Sequence, residues 1–124
     1  MEIRIRVPVF PTEEAEKVIL AVTNIFPDAA LTFENETTLA GSARSMEHFG
    51  ALIRNAKIRD SVRAELLRNL RGNKTHFRLN KQVAYAGGVS FSVGEPLGDI
   101  YVEIEDTEIR RIIDEIAPDT RIQQ

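Results

Sequence analysis

The chain has 124 residues, of which 43% are hydrophobic and 28% charged, with a net charge of −3 at pH 7 and no cysteine. This size and composition are typical of one globular domain, so we expect a single domain over residues 1–124. The lack of cysteine excludes disulfide bonds, thiolate zinc sites and a cysteine nucleophile. No stretch approaches the ~20 apolar residues of a membrane helix, and the first ten residues do not have the pattern of a signal peptide. The sequence therefore favours a cytoplasmic protein without membrane contact.

The first third of the sequence predicts a strand, a helix and two further short strands. Residues 2–10 alternate between apolar and polar side chains, which is the pattern of a half-buried strand. Apolar residues at helical spacing then predict a helix that ends near Phe26, before a proline. Residues 30–34 and 37–41 alternate again, so we expect two strands joined by a turn.

The middle of the sequence predicts two helices separated by a break. The apolar stripe of the first helix ends at Ala56. Because Ile58 would face away from that stripe on a straight helix, we expect a kink or a short connection at residues 57–60. Asp60 is the predicted cap of the second helix, and Gly72 is its predicted end.

The last third predicts strands, one ambiguous segment and a final helix. The clear patterns are three strands and one helix, at residues 75–79, 89–93, 100–104 and 109–116. Residues 80–86 either continue the preceding strand or form a single helical turn that Asn80 caps and Gly87-Gly88 stops. The turn is favoured, since Asn is a good cap and glycine a good terminator.

The predicted order of elements is β-α-β-β-α-α-β-β-β-α. Short strands that can pair antiparallel, interspersed with helices, indicate an α+β fold. We therefore expect a mixed, largely antiparallel sheet layered on helices.

Positive charge is concentrated in residues 54–81, the basic segment. Nine of the 16 Lys and Arg residues lie there with only two acidic residues, so the basic segment carries +7 and the rest of the chain −10. Clustered guanidinium and ammonium groups can grip phosphate oxygens, and such a cluster is the electrostatic footprint of a nucleic-acid-binding surface. The alternative is a set of solvated helix faces and surface ion pairs, each worth less than ~1 kcal/mol.

Three arginines have a structural alternative to ligand binding. Arg63 projects near the apolar stripe of its helix, where it would be a partly buried arginine paired to a carboxylate. Arg4 and Arg6 on the first strand either extend the basic surface or pair with Glu103 and Glu105 on the last strand. The pairs are favoured, because acids on a shared sheet face would repel phosphate.

The sequence contains no catalytic or metal-binding pattern. His76 lies between two basic residues, and His48 has no partner at ligand spacing. The glycines do not form a phosphate-binding loop. We therefore expect no enzyme activity, no cofactor, no metal and no small-molecule substrate.

A polar turn at Asn80, Lys81 and Gln82 separates two apolar runs. Its side chains can donate hydrogen bonds to RNA, or Asn80 can satisfy backbone donors as a cap, and the cap is favoured. Tyr85 is the best candidate for an exposed stacking aromatic, because the phenylalanines nearby are expected to face the core.

The chain contains VPVFPTE near its start, NIFPDA at the end of the first helix, then IRDSVRAELLR, GNKTHFRLNKQVAYAGGVSF and EPLGDIYVEIE. This combination resembles an archaeal family known as uncharacterised protein family two hundred and one. The resemblance covers nearly the whole chain, and FRLNKQ-A-Y is its most specific part. It implies an archaeal cytoplasmic protein with an RNA-binding role and a fold similar to the large-subunit ribosomal protein numbered five. The family hallmarks correspond here to Arg59, Asp60, Arg63, Arg68, Asn80, Lys81 and Gln82.

The leading hypothesis is a non-catalytic RNA-binding protein that contacts the phosphate backbone rather than reading single-stranded sequence. The candidate nucleic-acid-binding residues are Arg68, Arg71, Lys74, Arg78, Asn80, Lys81 and Gln82. The alternative, from a different class, is a protein-interaction or self-associating module, with a homodimer in which the basic segment docks on the acidic remainder. Sedimentation at two salt concentrations distinguishes the two, because an ion-paired dimer loosens as salt rises.

Overall fold

The computed structural model describes residues 1–92 and 98–121. Within these residues it contains five strands and five helices, which are β1 (Glu2–Pro8), α1 (Ala15–Ile25), β2 (Ala30–Phe33), β3 (Thr38–Ala43), α2 (Glu47–Asn55), α3 (Arg59–Arg68), β4 (Lys74–Asn80), α4 (Lys81–Tyr85), β5 (Asp99–Glu105) and α5 (Ile109–Ile116). Among the described helices, none combines the length and the apolar character needed to cross a bilayer.

The five strands form one sheet in the order β2-β3-β1-β5-β4, and all neighbouring strands are antiparallel. Directly paired residues share a face of the sheet. One such row crosses all five strands and runs through Leu31, Gly41, Ile5, Val102 and Phe77. This row lies on the face against which the helices pack.

The core lies between that face and the helices. All five described helices contribute side chains to one cluster of buried apolar residues. Its centre is a stack of three fully buried rings, with centroids 5.8 Å apart for Phe26 and Phe49 and 5.1 Å apart for Phe49 and Phe77. Because the helices use only one face of the sheet, the other face carries exposed and half-buried polar side chains. We call it the open face.

The α+β class and the layering of an antiparallel sheet on helices are confirmed. The order of elements also holds, with one difference after β4. The helical turn favoured at residues 80–86 is present as α4, with Asn80 as its cap. The strand expected at 89–93 is reduced, over its described part, to a single bridge between Phe91 and Leu79. Val93 lies outside the described residues.

Residues 90–92 nevertheless cover one half of the edge of β4. The Asn80 amide donates to the Ser90 carbonyl at 2.8 Å, and the Ser92 amide donates to the Arg78 carbonyl at 3.0 Å. Residues 90–92 therefore pair with β4, as their alternation of apolar and serine residues predicts, but the paired stretch is too short to be a strand. Covering an edge in this way protects it from pairing with another chain.

The break between α2 and α3 is confirmed, but its cap is not the predicted one. Helix α2 ends in a left-handed residue, Lys57, with φ of 59°. The Ile58 amide then donates back to the Ile53 carbonyl at 3.1 Å, which is the Schellman pattern. Helix α3 starts at Arg59 without a side-chain cap, so the prediction that Asp60 caps it is wrong. The Asp60 carboxylate instead accepts from the Thr120 hydroxyl at 2.8 Å.

Candidate nucleic-acid interface

The basic segment runs from the last turn of α2, through α3, to the first residue of α4. Most of its cations have no carboxylate at ion-pairing distance among residues 1–92 and 98–121. These unpaired cations are Arg54, Lys57, Arg59, Arg71, Lys74 and Arg78. Outside the segment the only cation in the same situation, within the same described ranges, is Arg110. Unpaired positive charge is therefore concentrated where the sequence predicted the interface.

The unpaired cations form two groups at opposite ends of α3. Arg54, Lys57 and Arg59 surround the junction at its beginning, whereas Arg71, Lys74 and Arg78 follow its end. A ten-residue helix is about 15 Å long, so the two groups are separated by roughly that distance.

The second group is built on a tight turn and the edge strand. Arg71 and Lys74 close the turn by exchanging backbone hydrogen bonds of 2.8 and 3.0 Å. The Arg71 guanidinium folds back and donates to the Leu70 carbonyl at 2.7 Å and to the Arg68 carbonyl at 3.2 Å, at the negative end of α3. Lys74 and Arg78 lie on the open face of β4, opposite Glu105 and Tyr101 of β5.

Two of the predicted binding cations are already engaged by carboxylates. Arg68 pairs with Glu65 one helical turn before it, although its side chain remains largely exposed. Lys81 is only 5% exposed, and its ammonium donates to the Pro8 carbonyl at 2.7 Å and to the Glu13 carboxylate at 2.9 Å. Because that ammonium is buried and paired, Lys81 does not belong to the exposed interface.

The two amides of the polar turn have different environments. Asn80 accepts a hydrogen bond of 2.9 Å from the Val83 amide, so the capping alternative for this residue is confirmed. Gln82 is exposed beside a cavity of about 280 Å³ between the start of α1 and α4, which Thr12, Lys17 and Tyr85 also line. Asn80 shares the open face of β4 with Arg78, two residues before it, whereas Gln82 lies beyond the strand in α4.

Arg63 has the carboxylate partner that its structural alternative requires. Its guanidinium donates to the Asp114 carboxylate at 2.6 Å and to the Ala117 carbonyl at 3.1 Å, and so it fastens α3 to α5. Its carboxylate partner is therefore on the last helix.

The arginines of β1 have separate partners. Arg4 donates to Glu103 at 2.6 Å and to Glu105 at 2.5 Å, so the predicted cross-strand pairs are confirmed for this residue. This contact lowers the pKa of the Glu105 carboxyl and raises that of the Arg4 guanidinium. For Arg6 the prediction is wrong, because its neighbour on β5 is Tyr101 and it pairs with Glu34 instead.

An aromatic and cationic cluster on the open face was missed by the sequence reasoning. The Arg78 guanidinium lies over the Tyr101 ring, 4.9 Å from its centroid, and the His76 ring lies 5.6 Å from the same ring. Partial burial, followed by the charge of Glu103, raises the pKa of the Tyr101 hydroxyl. The alternation of apolar and polar residues in β5 indicates that Tyr101 faces away from the core. Which residues lie beside Tyr101 depends on the order of the strands in the sheet, and local sequence patterns do not predict that order.

Among residues 1–92 and 98–121, no group of three or more His, Cys, Asp or Glu side chains is arranged to hold a metal ion.

Comparison with known proteins places these features in context. A family model described as RNA binding matches residues 2–106. A UPF0201 protein of Methanocaldococcus jannaschii is 41% identical, over 98% of this chain and 75% of its own length. A UPF0200/UPF0201 protein of Archaeoglobus fulgidus is 34% identical over 98% of this chain, which spans only 38% of that relative.

A solved structure shares the fold. The crystal structure of a UPF0201 protein from Methanococcus jannaschii is 40% identical and superposes with a TM-score of 0.89, covering 96% of this chain and 94% of that one.

Proposed function

The chain belongs to the UPF0201 family, and from this premise we propose that it is a non-catalytic RNA-binding protein that contacts the phosphate backbone through the basic segment. The match of most of the chain to a model described as RNA binding supports the general role. The place of contact rests on the distribution of charge.

One observation carries that assignment. Six of the seven cations that lack a carboxylate partner among the described residues lie in the basic segment. A paired cation must give up its partner before it can contact phosphate, whereas an unpaired one gains a charge-assisted hydrogen bond and releases a counterion. Contacts with a polyanion should therefore be more favourable in free energy at the basic segment than elsewhere in the described part of the chain.

The proposed contacts are revised from those that the sequence suggested. Arg71, Lys74 and Arg78 remain, and Arg54, Lys57 and Arg59 join them. Arg68 can contact phosphate only if its guanidinium releases Glu65. That ion pair is exposed and weak, of the kind worth under ~1 kcal/mol. Lys81 is omitted because its ammonium is buried.

The test is retention of total archaeal RNA on filters across a salt series. We expect Arg54→Glu and Lys74→Glu, one from each end of α3, to weaken binding and to reduce the salt slope by about 1 each. The matched control is Arg110→Glu, which makes the same charge change at an unpaired, exposed cation outside the segment. It should leave both quantities unchanged.

Two results would contradict the proposal. The first is no retention at low salt, where electrostatic binding is strongest. The second is an equal loss in Arg110→Glu, which would show a response to net charge rather than to place. Either result would favour the protein-interaction alternative. A homodimer and a likeness to the large-subunit ribosomal protein numbered five both stay predictions.

A further inference from the structure

The open face contains a trough in which only Arg78 is among the proposed phosphate contacts. It is an open groove with a volume of about 670 Å³, within the usual range of ligand sites. Three adjacent strands build it, because Arg6 of β1, Tyr101 of β5 and Arg78 of β4 are directly paired across the sheet. Pro8 and Thr38 line one end of it. The trough therefore has an aromatic side chain between two arginines.

The centre of the trough is suited to a flat ligand. The Arg78 guanidinium and the His76 ring both lie close to the Tyr101 ring. Guanidinium planes and aromatic rings are the two surfaces on which proteins stack nucleobases that are not paired. Tyr101 is half-buried, so its position is held by the sheet while part of it remains accessible.

The charges of the trough favour an anion. Arg78 has no carboxylate at ion-pairing distance in the described part of the chain, and Arg6 pairs only with Glu34, both of them well exposed. The two acids that line the trough already have partners. Glu103 accepts from Arg4, and Asp99 accepts from the Ser92 hydroxyl.

The surroundings of Arg4, on the same face, are less suited to phosphate. There Glu2, Glu103 and Glu105 all surround Arg4. Their negative charge makes a phosphate less favourable there than beside Arg6 and Arg78.

We propose that this trough binds one unpaired nucleotide of single-stranded RNA, with the base stacked on Tyr101 and Arg78 and the flanking phosphates at Arg6 and Arg78. The proposal rests on the proposed function and names the class of RNA. It differs from binding by shape alone, since a base inside a duplex is not available for stacking.

The two tyrosines of the chain allow a direct test. Protein labelled with 3-fluorotyrosine should give two fluorine NMR signals, which Tyr85→Phe and Tyr101→Phe assign. The probe is a single-stranded RNA of about ten nucleotides, a length within the site sizes of such proteins. We expect it to shift the Tyr101 signal and to leave the Tyr85 signal in place. The same strand annealed to its complement should shift neither.

The second part of the test measures the affinity of each variant for the single strand and for the duplex. Tyr101→Leu should weaken binding of the single strand by about 5- to 150-fold, the range found when a stacking side chain is removed. Tyr101→Phe keeps the ring and should bind within about twofold of the wild type. Binding of the duplex should be the same in all three proteins.

The outcomes separate this inference from the proposed function. If RNA is retained and Lys74→Glu weakens it, while the Tyr101 signal stays unshifted and Tyr101→Leu binds normally, phosphate binding stands and the trough is not a nucleotide site. If the Tyr85 signal shifts instead, the stacking site is at the cavity beside α4 and the inference is wrong. If no RNA binds at low salt, both proposals fail.

Discussion

The buried ammonium of Lys81 joins three parts of the chain. It donates to the last carbonyl of β1, at Pro8, and to Glu13 just before α1, and it lies 5.4 Å from the centroid of the Phe10 ring. Glu13 is itself mostly buried, with 13% of its side chain exposed. A buried charge is tolerated only when it is paired and hydrogen-bonded. The pair therefore fixes where α4 sits against the link between β1 and α1.

We predict that Lys81→Met destabilises the fold by about 3–5 kcal/mol, because it leaves the Glu13 carboxylate buried without its partner. The double variant Glu13→Leu with Lys81→Met should recover much of that loss, since replacing both members of a buried pair is often close to neutral. Urea unfolding followed by circular dichroism measures both.

Lys17→Met is the control for the loss of a lysine on a neighbouring surface. Lys17 is exposed and has a weak contact of 3.9 Å with Glu14, so we expect a change below ~0.5 kcal/mol. A loss in Lys81→Met no larger than that of Lys17→Met would show that the buried pair contributes little.

The junction of α2 and α3 is strained at one backbone position. Lys57 has φ of 59°, a left-handed conformation that glycine adopts freely and side chains with a Cβ do not. The Schellman hydrogen bonds on either side of it hold it there. This junction determines the direction in which α3 leaves α2. Three of the six unpaired cations of the basic segment lie around it.

We predict that Lys57→Gly stabilises the fold by about 0.5–1 kcal/mol in urea unfolding, since it removes the left-handed strain. Lys57→Ala makes the same loss of charge but keeps a Cβ, so it should give no such gain. Equal stability of the two variants would contradict strain as the cause. Both should weaken RNA binding alike if the ammonium contacts phosphate.

The elements themselves follow from local patterns in the sequence. Alternation and helical spacing predicted β1, α1, α3, β5 and α5, because these periods depend on neighbours within a few residues. Segment 89–93 had the same alternation, yet over residues 89–92 the structure has a single bridge, between Phe91 and Leu79.

The candidate site depends on pairings that local patterns do not contain. Arg4 and Glu103 are 99 positions apart in the chain, and Lys81 and Glu13 are 68 apart. The favoured pairing of β1 with the last strand was correct for Arg4, yet alternation alone could not show that Arg6 lies opposite Tyr101. A one-residue change of register would turn every one of these side chains to the other face.

At the scale of the whole molecule, several carboxyl groups outside the basic segment accept hydrogen bonds from donors in the same part of the chain. Three carboxyls have pKa values below their ordinary ones. Arg4 lowers the pKa of Glu105, the amide of Glu108 lowers that of Asp106, and Arg121 lowers that of Asp119. Each carboxylate is stabilised by a partner that the unfolded chain does not hold in place.

These shifts predict that the fold is less stable in acid. A carboxyl with a lowered folded pKa contributes its stability above the unfolded pKa, here 4.5 for Glu105 and 3.8 for the two aspartates. That contribution is lost as pH falls from the unfolded values through the lower folded ones, because in this window the unfolded state binds protons that the folded state does not. The urea midpoint should therefore be flat near neutral pH and fall steadily below about pH 4.5.

Arg4→Gln tests whether the contacts of Arg4 cause the loss of stability in acid. Without the guanidinium, the pKa of Glu105 should return toward its ordinary value of 4.5, so the variant should be less stable than the wild type at neutral pH and lose less stability on acidification. The two curves should converge in acid. Arg110→Gln is the matched control, because it removes an exposed guanidinium that has no carboxylate at ion-pairing distance among residues 1–92 and 98–121, so its curve should follow that of the wild type. Parallel curves for wild type and Arg4→Gln would show that the acid sensitivity arises elsewhere in the molecule.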